Sequence, residues 1–190
     1  MYKTFVGRTC ELSRWFLIAL VAAFLAPATV LAAESRAALE GDARSAYQKL
    51  IAGVPAAKML SREALAVLVF PTITKAGLVV GGQYGDGVLF MGGKATGYYN
   101  TTGASYGLQA GAQKYGYAMY FMNEKALKAL TENDGFEVGV GPSIVVVDQG
   151  MGKSLTSKTA KDDVYAFIFS QKGLMAGLGL QGNKITRLKD

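Results

Sequence analysis

Few side chains in this chain could carry out chemistry, and their types restrict what that chemistry would be. Two pairs of acids lie close in sequence, Asp162 with Asp163 and Glu132 with Asp134. Paired carboxylates can serve as general acid and base, but both pairs fall in polar, turn-like stretches where a solvated surface accounts for them. Gly152-Lys153-Ser154 could pair a serine nucleophile with a lysine base. It also has the ending of a phosphate loop. The glycine that loop needs ahead of Gly152 is missing, since positions 147 and 148 hold Val147 and Asp148, and no strand-loop-helix order follows. Histidine is absent and the one cysteine is Cys10. The commonest general base, the commonest metal ligand and the thiol nucleophile are therefore missing from everything after the N-terminus. The residues point to a protein that is not an enzyme, with no cofactor and no metal site.

The N-terminus has a distinct organisation. Lys3, Arg8 and Arg14 precede an apolar run from Trp15 to Ala33, after which Glu34, Ser35 and Arg36 restore polarity. A basic start, an apolar middle and small residues before a polar junction make a secretory signal peptide. Val30-Leu31-Ala32 places the cut after Ala32, giving a signal over 1–32 and a single domain over 33–190. A retained anchor is the rival reading, because the run is nearly the ~20 residues that span a bilayer. Pro27 and the alanine-rich end favour cleavage. The whole chain has 20 basic and 14 acidic residues; losing Lys3, Arg8, Arg14 and Glu11 leaves 17 and 13, a net charge of +4. Cys10 would leave with the signal, so no disulfide can form and the fold must rest on its core. The expected location is the periplasm or cell envelope.

The elements that would position any site begin with a helix over Ser35 to Ile51, with Ser35 as its cap. Tyr47, Leu50 and Ile51 form its apolar side, and Gly53 and Pro55 end it. A short second helix is expected over Ala56 to Ala64. Strands follow: Ala66 to Phe70, stopped by Pro71; Ile73 to Tyr84 and Val88 to Met91 around a hairpin turn at Gly85-Asp86-Gly87. Further strands are expected at Lys94 to Asn100 and Ala104 to Phe121. Asn123 caps a helix to about Leu130. Phe136 to Val147, broken at Gly141-Pro142, Val164 to Gln171, Gly173 to Gln181 and Lys184 to Leu188 complete the strands. No internal repeat or dividing linker is present. The fold class is α+β: a single domain with N-terminal helices packed on a mainly antiparallel, glycine-rich β core.

The glycines fall on particular strand faces. One face reads Gly103, Ser105, Gly107, Gln109, Gly111, Gln113, and the late segment places Gly177 and Gly179 beside Met175 and Gln181. Glycine weakens a strand, so a row of it needs compensation. Either another element packs unusually close there, or a ligand does.

Several blocks resemble the signature of the SYLF family. They are Val69-Phe70-Pro71-Thr72-Ile73-Thr74-Lys75-Ala76-Gly77 and Gly81-Gly82-Gln83-Tyr84-Gly85-Asp86-Gly87-Val88-Leu89, then Gly97-Tyr98-Tyr99-Asn100, where the family usually has Gly-Tyr-Trp-Asn. Ser105 to Gln113 is similar to its spaced Ser-Gly-Gln-Gly-Gln block, and Val164 to Phe167 and Gly173 to Gly177 to its closing blocks. The resemblance implies a lipid-binding domain, notably for phosphoinositides in eukaryotes, of a kind also found in a yeast endocytic actin-binding protein. Its bacterial branch consists largely of exported envelope proteins. An anionic phospholipid is the ligand expected for an exported member.

The residues make a physical case beside the resemblance. Lys49, Lys58, Arg62, Lys75 and Lys94 lie in the first half of the domain and are the candidate lipid-binding residues. Each basic residue near an anionic surface contributes on the order of 1 kcal/mol. Beside Leu50, Ile51, Met59 and Leu60 they would make a weak peripheral contact with an anionic phospholipid membrane. The competing function is a non-catalytic structural or adaptor role, binding an envelope protein through a sheet edge or the glycine face. Nucleic acid is not an expected partner, because the charge is modest and no recognition motif occurs.

Overall fold

The structure, a computed structural model, describes residues 28–78, 80–106, 111–147, 161–173 and 183–189. The chain divides into two units, Met1–Ala38 and Leu39–Asp190, and the sheet, its core and the sites below belong to the second. In chain order the elements are α1 (Ala28–Gly53), α2 (Pro55–Leu60), β1 (Ala66–Gly77), β2 (Val80–Met91), β3 (Lys94–Tyr106) and β4 (Gly111–Phe121). They continue with α3 (Glu124–Thr131), β5 (Gly135–Glu137), β6 (Ile144–Val147), β7 (Val164–Gly173) and β8 (Lys184–Arg187).

The strands form one curled sheet in the order β5-β8-β3-β2-β1-β4-β7-β6. Among the described residues every pairing of these strands is antiparallel except β6 with β7. The expected α+β class with a mainly antiparallel core is what the chain adopts. Period-2 alternation splits the apolar residues between two faces. Leu68, Phe70, Tyr117 and Met119 pack on one face with Ala126, Leu127 and Leu130 of α3. Val67, Val69, Ala118 and Tyr120 pack on the other with Ala43 and Leu50 of α1 and Ala57 and Leu60 of α2. The first is called the inner face below, and the second the helix-side face.

α1 begins at Ala28 and runs through Ser35, which is therefore no cap; the alanines and leucine ahead of Ser35 are good helix formers. α2 ends at Leu60, followed by a turn in which the Ser61 hydroxyl donates to the Lys58 carbonyl at 2.8 Å. Arg44 ties α1 to the β2–β3 turn, donating to the Gly93 carbonyl at 2.8 Å with its guanidinium 4.8 Å from the centre of the Phe90 ring.

Three strand expectations are corrected. Pro71 does not stop the first strand: the register of β1 shifts on both sides of it, so a bulge accommodates the residue that cannot donate. Gly85-Asp86-Gly87 is not a turn either, and β2 runs straight through it. The β2–β3 turn is Gly92-Gly93, with φ of +54° and +78°. A Cβ at Gly85 would lie 2.8 Å from Ile73 Cγ1, and one at Gly87 2.5 Å from a ring carbon of Phe70. These glycines let large side chains of β1 cross over β2. Finally, the long strand expected over Ala104 to Phe121 is two strands, with β3 beside β2 and β4 beside β1. Of the strand expected over Gly173 to Gln181, only Gly173 lies among the described residues.

The cap at Asn123 is as expected: its Oδ1 accepts from the Ala126 N–H at 2.9 Å. Its Nδ2 also donates to Asp163 Oδ1 at 2.7 Å, and the Ser143 N–H donates to Asp163 Oδ2 at 3.2 Å. Asp163 thus fastens the start of α3 to the segment before β6.

Candidate functional site

Four of the five expected lipid-binding residues are exposed: Lys49 on α1, Lys58 on α2, Arg62 in the following turn and Lys94 at the start of β3. Lys75 is not a surface residue. Only 3% of it is accessible, on the inner face of β1. The bulge at Pro71 sets this, because it puts Ile73, Lys75 and Gly77 on the inner face and Thr74 and Ala76 on the other. The apolar companions are also corrected. Leu50 and Leu60 are buried in the core, and Ile51 and Met59 pack against it. Leu50, Ile51, Met59 and Leu60 are therefore engaged in the core and are not free to enter a bilayer beside the exposed cations.

Such side chains lie elsewhere. α1 and α2 pack on the half of the helix-side face that carries Val67, Val69, Phe90 and Tyr120, and among the described residues the other half is open. One register row there reads Lys184, Thr102, Tyr84, Thr74, Lys114 and Lys172 across β8, β3, β2, β1, β4 and β7. All six residues are exposed. The next row toward the β1–β2 turn reads Ala104, Gly82, Ala76 and Ala112, also exposed. Val80 and Leu78 follow at the turn, 63% and 74% accessible. Lys114 and Lys172 stand directly opposite each other, and like charges in that position repel. The surface is edged by lysines and ends in two exposed apolar side chains. The sequence reading missed it because Lys114 and Lys172 are 58 positions apart, and only the β4–β7 pairing brings them together.

The inner face at the same end carries the second cluster. Its register row reads Gly103, Gln83, Lys75 and Gln113 across β3, β2, β1 and β4. A Cβ at Gly103 would overlap Asn183 Oδ1, so Asn183 covers that glycine and continues the row. Gln83, Gln113 and Asn183 are 8%, 5% and 4% accessible. For Gly103 the close neighbour expected of the glycine face is thus a side chain from just before β8. Gly107 and Gln109 lie outside the described residues, as do Gly177 and Gly179. The Tyr115 hydroxyl donates to Gln83 Oε1 at 3.1 Å. Gln83 Nε2 and Gln113 Oε1 are buried without a partner.

The acidic pairs have structural surroundings. Asp163 accepts the hydrogen bonds given above, which hold its carboxyl below the usual range, the Asn123 contact most of all. Asp162 accepts from the Tyr165 hydroxyl at 3.2 Å. Glu132 closes the end of α3, its N–H bonding to the Lys128 carbonyl, and Asp134 lies 3.7 Å from the Lys189 ammonium. Gly152-Lys153-Ser154 lies outside the described residues.

Burial pushes the Tyr115 hydroxyl up to about 12, its hydrogen bond to Gln83 acting in the opposite sense. Burial raises Tyr117 and Tyr120 further. A raised folded-state value means that the unfolded chain releases its proton first as pH rises. The stabilisation is complete below the ordinary tyrosine value of 10.0 and is lost through about 12 and above. We expect the urea midpoint to fall from about pH 10 upward, with the tyrosinate absorbance of these residues appearing together with unfolding. Full tyrosine titration near the ordinary value, with the fold intact, would contradict this.

The architecture defines the class: one α+β domain whose helices cover half of one face of a curled antiparallel sheet. The family model for Ysc84, a Las17-binding protein actin regulator, matches residues 102–190. That match agrees with the resemblance to the SYLF family carried by the sequence blocks. The match begins within β3, after the blocks at 69–89 and 97–100. No curated protein matches the chain.

Proposed function

We propose that this is an exported, non-catalytic envelope protein that docks peripherally on anionic phospholipid membranes. The family whose model matches residues 102–190 is one of lipid-binding or actin-regulatory proteins, which supports a general role at membrane lipids. The observation that carries the reading is the open half of the helix-side face, which carries exposed Lys114 and Lys172 and ends at exposed Leu78 and Val80. Inserting the two apolar side chains adds about 1–2 kcal/mol each for partial burial, and each lysine near an anionic surface on the order of 1 kcal/mol. After the cost of association the contact is weak and reversible. Tyr84, half exposed on the same face, has the amphipathic ring that suits a headgroup layer. Lys49, Lys58, Arg62 and Lys94 add long-range attraction. Phosphate-bearing headgroups, phosphoinositide-like ones included, are the recognised chemistry.

Membrane contact of this kind needs no spanning segment, and among the described residues no helix is long and apolar enough to cross a membrane. Export rests on the N-terminal pattern. Mass spectrometry of exported material should find a chain starting near Ala33; a retained Met1 would contradict it. Co-sedimentation with phosphatidylglycerol and phosphatidylcholine liposomes tests the function. Binding is expected to the anionic liposomes alone and to fall as salt rises, because charges are screened over about 8 Å at physiological ionic strength. Absence of binding to anionic liposomes would favour the adaptor role, with a protein at the exposed edge.

A further inference from the structure

We propose that the buried row of Lys75, Gln83, Gln113 and Asn183 is a binding site for a phosphate-class oxyanion that also carries a hydroxyl. Four polar side chains, each at least nine-tenths buried, lie side by side at one end of an inner face otherwise filled by Ile73, Leu68, Phe70 and Met119. A buried polar group without a hydrogen bond costs stability, and native folds keep few of them. Here two stand in the same row: Gln83 Nε2, a donor, and Gln113 Oε1, an acceptor. Because Gln83 Oε1 accepts from the Tyr115 hydroxyl, the end of that amide left over is its N–H donor. The row therefore offers a donor and an acceptor, in register on either side of a buried lysine.

The ligand chemistry follows from that set. A negatively charged oxygen would take the Gln83 N–H and the field of the Lys75 ammonium, as charge-assisted hydrogen bonds favour. The acceptor at Gln113 requires an O–H on the same ligand. A monoprotonated phosphate, or a phosphate ester with a neighbouring hydroxyl, carries both. A plain hydrocarbon chain carries neither.

The way in is built from glycine. Beyond the row, toward the sheet end, the inner-face register positions are Gly81, Gly77 and Gly111. Gly111 is exposed, and Gly77 and Gly81 are partly so. Among the described residues, these three positions border the end of the row with backbone and no side chain.

The source of the phosphate is either a free small molecule or a lipid headgroup, and the experiment has an arm for each. Labelled full-length protein would be titrated with inorganic phosphate, with glycerol 3-phosphate and with monomeric dihexanoyl phosphatidylglycerol. Ionic strength is held constant with chloride, and the side-chain amide resonances of Gln83 and Gln113 are followed by NMR. Gln83→Met and Gln113→Met assign those signals. The expected result is a saturable shift of both amides with at least one probe, and an affinity about tenfold or more lower in Lys75→Met and Gln113→Met. Saturation by glycerol 3-phosphate or inorganic phosphate identifies a free ligand, and saturation by the phosphatidylglycerol alone a headgroup. The melting temperature of ligand-free Gln113→Met should be no lower than wild type, since a buried unpartnered group is removed; a purely structural row predicts a drop. If Lys75→Met does not fold, Gln113→Met decides. No saturable shift with any probe, or unchanged affinity in Gln113→Met, overturns the proposal. Liposome binding through the outer surface is separate and would survive that failure.

Discussion

Gly135→Ala is expected to destabilise the protein by about 3 kcal/mol, lowering the melting temperature by about 6–12 °C. Gly135 opens β5 with φ of +122°, a conformation that side-chain-bearing residues rarely adopt. A Cβ there would overlap the carbonyl oxygen of Ile185 and lie 2.8 Å from its carbonyl carbon. That carbonyl belongs to β8, which pairs with β5 through Gly135–Thr186, Phe136–Ile185 and Glu137–Lys184. Backbone cannot rotate aside as a side chain can, so alanine would move β5 off β8. Phe136, which packs against the inner core edge-to-face with Phe121, would move with it. Gly139 is the control. Its φ is +100° but nothing lies within 4 Å of a Cβ there. Gly139→Ala should therefore show the conformational strain alone, about 1 kcal/mol. Thermal melts of the two variants separate the overlap from the strain, and equal small losses would mean that β5 is not held against β8 as described.

What could be read from the sequence was mostly local. Asn123 was legible as a cap because the rule concerns one side chain and the N–H three residues on. Tyr47, Leu50 and Ile51 were legible as one helix side because the 3.6-residue period is regular. The strands failed where one residue type has two meanings. Glycine marks a turn or a crossing, and at Gly85 and Gly87 it marks the passage of Ile73 and Phe70. Proline marks an end or a bulge, and at Pro71 it marks a bulge. That bulge decides the candidate site. Inserting one residue into a period-2 strand exchanges its faces, so Lys75 could not be placed until the pairings of β1 with β2 and β4 were known. The same holds for Gln83 and Gln113, which were visible within blocks resembling the family but are neighbours only through Lys75. Lys114 and Lys172 meet only across β4 and β7. Long-range register carries that information, and periodicity within one segment does not.

The second large effect concerns binding and bears on the central claim, that the membrane meets the open half of the helix-side face. One variant combines Lys114→Glu and Lys172→Glu with Leu78→Ser and Val80→Ser. It reverses two opposed positive charges and removes both exposed apolar side chains from a surface that contributes little to the core, so the fold should persist. At on the order of 1 kcal/mol per charge, and a similar amount per apolar side chain, binding should fall by at least about a hundredfold, to below detection. The comparison is Lys49→Glu, Lys58→Glu and Arg62→Glu, which alters cations on and next to the helices whose apolar side chains are engaged in the core. The direct measurement is co-sedimentation of wild type and both variants with phosphatidylglycerol liposomes at low and physiological salt. The account predicts that the open-face variant stays in the supernatant at both salt concentrations, while the helix variant still sediments and loses affinity mainly at low salt, where long-range attraction matters. Wild-type-like sedimentation of the open-face variant, or loss of binding in the helix variant alone, would contradict it.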